Sequence, residues 1–232
     1  MRAWWREETI EKSFAGAASL LFRNLWSFVR ESTPEWRRSR YGDMEYDWVH
    51  RVNTTGGTVG WQARLLGCFH SPYQATEPDI FYEMMTSLPI AFDAFTFVDL
   101  GSGKGRTLLM ASEYPFHRIV GVELLAELHG AAEENIREYR SPTQQCQQID
   151  SVMADAREFD LPAEPLVLYL FNPLPERALS EVLQRLVKSL ERAPRPVWLV
   201  YHNPLLENTL GASGFLEKVY GTAQYSIYRT VQ

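Results

Sequence analysis

The sequence predicts an α/β fold: a doubly wound, mostly parallel seven-stranded sheet closed by a C-terminal antiparallel hairpin, preceded by an N-terminal helical extension. Three observations predict it. From Phe95 onward, short apolar runs alternate with stretches of helical periodicity. The runs are apolar throughout rather than at every second position, as in strands buried on both faces. The first run leads into a glycine-rich turn, FVDLGSGKGRTLL (Phe97 to Leu109), where a strand would hand over to a helix.

The elements follow in order. In residues 1–40, Phe14, Ala18, Leu21, Leu25 and Phe28 recur at helical spacing. They predict an amphipathic helical extension, with Trp4, Trp5 and Trp26, that packs on the body or pairs two subunits as a homodimer; Pro34 stops it. Residues 41–94 form a lid or substrate-side segment with a lead-in helix. Within it, 41–76 reads as irregular, TTGGTVG at 54–60 as a flexible turn, and Pro78 as the opening of a short helix that ends before Pro89. Residues 95–232 form the main domain. Its strands are TFVDL (96–100), RIVGVEL (118–124), IDSVMAD (149–155), PLVLYLFN (165–172) and PVWLVYHN (196–203), and FLEKVYG with AQYSIYRTV reads as the closing hairpin. Helices fill the gaps, the most regular through Leu179, Val182, Leu183, Leu186, Val187 and Leu190.

Composition narrows the function. The 232 residues are 45% hydrophobic, enough for a substantial core. Net charge is −6 and unevenly spread: residues 1–40 carry +3 and the remainder −9. So acidic a body repels a phosphate backbone, which argues against nucleic acid as a partner. Cys68 and Cys146 make no disulfide framework, so a reducing cytoplasm is the expected setting. The apolar FAGAASLLF (14–22) is too short for a membrane span and lacks a basic leader, so neither a span nor a secretory signal is expected.

The glycine turn selects among nucleotides. A Walker loop needs glycine at position 98 and Ser or Thr at 105, where Val98 and Gly105 stand. A dinucleotide fingerprint needs glycine where Arg106 stands. The pattern present is Gly101-x-Gly103-x-Gly105 with Asp99 two residues ahead. A carboxylate beside a pyrophosphate would be repelled, whereas beside an ammonium or sulfonium it is welcome. S-adenosylmethionine has both cations and no phosphate, and the helix start behind the glycines can take its carboxylate. Glu123, ending the second strand, can accept both ribose hydroxyls, a device that dinucleotide sites share. Asp155, ending the third, either accepts the adenine amino group, with the Ala156 N–H on a ring nitrogen, or caps a helix.

Taken in this order, VDLGSGKG, GVEL, ADARE, YLFNPLP and the final hairpin resemble a class I S-adenosylmethionine-dependent methyltransferase from about Phe95 to the end. The resemblance implies methyl transfer, with Gly101, Ser102, Gly103 and Gly105 at the cofactor's amino-acid end, Glu123 at its ribose and Asp155 at its adenine. Lys104 departs from the acidic or small residue usual there and is expected to face solvent. SPYQATEPDIF (71–81) is similar to the lead-in of uncharacterised bacterial methyltransferases and, distantly, of protein-lysine methyltransferases. That likeness places Tyr73, Gln74 and Thr76 over the methionine end; alternatively Thr76 caps the next helix.

The acceptor is read from the fourth strand's end. Asn172-Pro173-Leu174-Pro175 is similar to the Asp/Asn/Ser-Pro-Pro-aromatic turn of amine-directed methyltransferases, which implies Asn172 as the catalytic residue holding an N–H. Leu174-Pro175 lacks the aromatic partner, which counts against base and glutamine targets. No metal cluster, Ser/His/Asp set or pair of acids suggests hydrolysis or metal chemistry. Three alternatives stay open: O-methyl transfer with His202 as base, a nicotinamide oxidoreductase, and a non-catalytic scaffold that keeps the fold.

Overall fold

The computed structural model describes residues 44–55, 74–171 and 174–231. The helical extension predicted for residues 1–40 and most of the turn at 54–60 lie outside the described residues, as do Asn172 and Tyr73.

The central apolar runs become strands because each can bury both faces, and a weaker run joins them at the edge. They are β1 (Thr96–Leu100), β2 (Arg118–Glu123), β3 (Ile149–Met153), β4 (Leu166–Phe171) and β5 (Val197–His202), joined by the hairpin strands β6 (Leu216–Gly221) and β7 (Tyr225–Thr230). They form one seven-stranded sheet in the order β3-β2-β1-β4-β5-β7-β6. The first five pair in parallel, and β7 runs antiparallel to both β5 and β6. Every residue of β1 and β5 is buried, whereas edge strand β3 is only partly covered.

Alternate residues of the central strands feed two cores. On one face Phe97, Tyr169, Val200 and Ile227 pack under helices α2 (Pro78–Thr86) and α3 (Arg106–Ala111), through Phe81, Met84, Met85, Leu108 and Leu109. Ile136 of α4 (Ala126–Glu138) joins them. On the other, Val98, Leu100, Leu168 and Leu170 meet Leu179, Val182, Leu183 and Leu186 of α5 (Glu176–Arg192) and Leu210 of α6 (Glu207–Gly211). The doubly wound sheet is therefore as predicted. Its strand order reverses between β1 and β4, and the carboxyl ends of strands at such a reversal form a crevice open to ligands.

Two expectations need correction. The stretch 41–76 is not wholly irregular: Met44–His50 forms a helix, α1. Its Tyr46 and Asp47 are buried, Tyr46 in the core and Asp47 against Arg106, and those contacts stabilise a turn too short to show periodicity. Nor does Thr76 cap α2. Glu77 is the N-cap and makes no side-chain cap bond, while the Thr76 hydroxyl is engaged with Tyr169 at 2.9 Å.

Candidate functional site

The alternate glycines have a conformational reason. Gly101, Gly103 and Gly105 have φ of +90°, +55° and +82°, a left-handed backbone that side chains oppose. The loop folds back on β2, where the N–H groups of Gly101 and Ser102 both donate to the Val122 carbonyl. Gly121, which pairs with Asp99 across β1 and β2, is a residue the sequence reading missed. A Cβ there would lie 2.5 Å from Leu108 Cδ1 and 2.6 Å from Ser102 Oγ, so its absence makes the space for both side chains.

Two carboxylates flank this loop. Asp99, one residue before the end of β1, is 2% exposed. Thr107 donates a short hydrogen bond to its Oδ2, while Oδ1 has no partner among the described residues. Burial first and the Glu123 charge second push the Asp99 pKa up to about 7, against the pull of Thr107. Between its ordinary value of 3.8 and about 7, the folded chain holds a proton that the unfolded chain has released. This contribution to stability is full below that window and is lost as pH rises through about 7.

Glu123 ends β2 and is also 2% exposed. It accepts the Gly103 N–H on Oε2 and the Leu125 N–H on Oε1, both at 2.8 Å. Burial raises its pKa, against the N–H groups of Leu125, Gly103 and Leu124 and the charge of His129. A carboxylate has about four lone-pair sites, so capacity remains for hydroxyl donors. The bonded Gly103 N–H also fixes the loop relative to the strand.

A strap the sequence did not reveal lies over the loop. Asn53 and Asn135 of α4 exchange bonds: the Asn53 N–H donates to Asn135 Oδ1 at 2.8 Å, and Asn135 Nδ2 donates to the carbonyls of Asn53 and Lys104. Lys104 Nζ donates at 3.1 Å to Asn53 Oδ1 and to the Thr55 carbonyl. The expectation that Lys104 faces solvent is thus corrected: the strap offers it oxygen acceptors within reach. Its partial burial lowers its pKa, against the charges of Asp47 and Glu127.

Below the strap, Arg106 is 1% exposed. Its guanidinium reaches Asp47 at 3.2 Å, donates through Nε to Thr54 Oγ1 at 2.6 Å and lies 5.0 Å from the Tyr46 ring centroid. Asp47 also accepts bonds from the N–H and hydroxyl groups of Thr54 and Thr55. The residue that breaks the dinucleotide fingerprint is therefore the anchor of the strap.

The structure brings Asp99, Ser102, the three glycines and Glu123 together at the ends of β1 and β2, and Ser102 Oγ is buried without a partner among the described residues. Thr76 reaches β4 through Tyr169. Asp155 lies beyond β3, where its carboxylate receives the N–H and the guanidinium of Arg157 and its carbonyl takes the N–H groups of Glu158 and Phe159. It caps a turn, and the Arg157 hydrogen bonds lower its pKa. Ala156 is half-buried beside the second core. At the ends of β4 and β5, His202 stacks on Phe171 with centroids 4.0 Å apart, and its Nδ1 lies 2.9 Å from the Tyr169 hydroxyl. Burial lowers the His202 pKa to about 4. Among the described residues no cluster of His, Cys, Asp and Glu could hold a metal, and no helix is long and apolar enough to cross a membrane.

No family model matches the chain, and no curated protein does. Solved structures do. A structure described as a predicted N6-adenine-specific DNA methylase from Listeria monocytogenes str. 4b F2365 matches at 13% identity and TM-score 0.51, over 71% of this chain and 53% of that one. An RNA methyltransferase from Salinibacter ruber, in complex with S-adenosyl-L-homocysteine, matches at 20% identity and TM-score 0.45, over 67% of this chain and 92% of that one. A precorrin-6y C5,15-methyltransferase from Geobacter metallireducens GS-15 matches at 17% identity and TM-score 0.47, covering 68% and 90% respectively. None of these likenesses bears out the expectation against a nucleic-acid partner. The chain has the seven-stranded Rossmann-like fold of the class I methyltransferases.

Proposed function

We propose that this protein is an enzyme that binds S-adenosylmethionine at the ends of β1 and β2 and transfers its methyl group to an amine of a small molecule or protein. One observation carries the cofactor reading. Two buried carboxylates, Asp99 and Glu123, flank a left-handed glycine loop, the Glu123 charge raises the cost of ionising Asp99, and Asp99 Oδ1 has no partner among the described residues. That arrangement repels phosphate and favours a cation. The residues fit the group: Asp99 and Ser102 would face its α-ammonium end, Glu123 its ribose hydroxyls. When bound, the cofactor supplies an electrophilic methyl group on a sulfonium sulfur.

The protein's own part is to bind, orient and exclude water. Asn172, directly after β4, offers a side-chain carbonyl for an acceptor N–H. An amine fits better than a hydroxyl because His202, with a pKa near 4, is a weak base at neutral pH. Isothermal calorimetry tests the cofactor reading. S-adenosylhomocysteine is expected to bind while NADH and ATP do not; NADH or ATP binding with no response to S-adenosylhomocysteine contradicts it.

A further inference from the structure

Phe171 and His202 are register partners at the carboxyl ends of β4 and β5. The strand order puts the glycine loop and Glu123 on the β1–β2 side of the reversal and these two rings on the other. A buried chain of hydroxyls leads to the histidine: Thr76 Oγ1 lies 2.9 Å from the Tyr169 hydroxyl, which lies 2.9 Å from His202 Nδ1. All three side chains are buried, His202 to 6% exposure.

The direction of this chain follows from acceptor strength. The phenol has one proton and two neighbours, a hydroxyl and an imidazole nitrogen. The imidazole lone pair is the more basic, so the phenol donates to Nδ1 and the threonine hydroxyl donates to the phenol oxygen. Nδ1 is then an acceptor, and the ring proton sits on Nε2. Among the described residues Nε2 has no hydrogen-bond partner. The flat stack on Phe171, with 14° between planes, fixes the ring's orientation.

We propose that His202 is a neutral Nε2–H donor on the acceptor side of the site, with Tyr169 and Thr76 as positioning residues that fix its tautomer. It orients an acceptor group rather than deprotonating it. This rests on the reading of the β1–β2 end as the cofactor site. The substrate then carries, near its methylated atom, an oxygen or nitrogen lone pair to receive this N–H. Low basicity agrees with the geometry, since burial already disfavours the imidazolium. The titratable groups around the ring are Tyr169, with Asp99 of β1 acting on its phenol, and Tyr225, the β7 register partner, whose hydroxyl donates to Glu83 of α2.

The test is long-range proton–nitrogen NMR on the full chain labelled with ¹⁵N-histidine, the His202 signals being assigned by their loss in His202→Gln. The expected result is a neutral ring protonated on Nε2 from about pH 5.5 to 8, since burial holds its titration well below the ordinary value near 6.5. In Tyr169→Phe the ring is expected to show mixed tautomers and a pKa raised toward that ordinary value. A proton on Nδ1 in the wild type, or an imidazolium at pH 6, overturns the proposal without needing any variant to fold. S-adenosylhomocysteine calorimetry on the same samples separates the two readings. A correct tautomer with no cofactor binding sinks the cofactor site and with it the histidine's place beside a methyl acceptor, and binding with the wrong tautomer sinks the histidine assignment alone.

Discussion

Asp47→Ala is expected to destabilise the full chain by about 3–5 kcal/mol, the cost of breaking a buried ion pair from one side. The Arg106 guanidinium is 1% exposed and its charge is balanced by Asp47 at 3.2 Å. Removing the carboxylate leaves that charge in the core. It also removes the acceptor that gathers the N–H and hydroxyl groups of Thr54 and Thr55, so the strap is released from the helix below the glycine loop. Urea unfolding followed by circular dichroism should show a lower midpoint with an unchanged slope. A loss under about 1 kcal/mol, the level of an exposed pair, would mean that Asp47 does not anchor the strap.

Asn172→Ala is expected to lower methyl turnover by roughly 10²-fold or more while S-adenosylhomocysteine affinity stays within a few-fold. An amine nucleophile has to arrive neutral, desolvated and aligned with the methyl–sulfur axis, and a side-chain carbonyl that accepts one N–H directs the lone pair. The loss therefore falls on alignment and not on cofactor binding. Transfer of label from methyl-labelled S-adenosylmethionine, compared with calorimetry on the same variant, separates the two terms. If His202→Ala abolishes turnover and Asn172→Ala does not, the acceptor is a hydroxyl served by a base, and the amine assignment fails.

The residues that were legible in the sequence are those whose signal is local. Strands buried on both faces appear as continuous apolar runs, and the left-handed loop appears as glycine at alternate positions, because each demand acts within a few residues of the chain. The order of the strand ends then placed Asp99 and Glu123 side by side. The strap was not legible because its bonds are distant: Arg106 to Asp47 spans 59 residues, Asn53 to Asn135 spans 82, and Thr76 to Tyr169 spans 93. Arg106 did carry a signal. It opens RTLLMA, a helix buried at every position, and an arginine there requires an acid from elsewhere. Lys104 was misread for the same reason, since nothing within the loop shows that Asn53 and Thr55 come to meet it. Gly121 looked like an ordinary strand residue because the side chains that need its space, Ser102 and Leu108, belong to another element.

If the β1–β2 crevice is built for a cation, cofactor affinity must depend on pH. Asp99 titrates near 7 in the folded protein, and only its ionised form meets an ammonium. Binding below pH 7 must then release a proton, and the dissociation constant of S-adenosylhomocysteine is expected to fall up to about tenfold per unit as pH rises toward 7. The comparison stays below about pH 8, where an α-amino group begins to lose its own proton. Calorimetry from about pH 5.5 to 7.5, repeated in buffers of different ionisation enthalpy, reads both affinity and proton release. The account predicts a rising affinity in the wild type and weak binding with most of that pH dependence gone in Asp99→Asn. Affinity that is flat with pH in the wild type, or undiminished in Asp99→Asn, would contradict it.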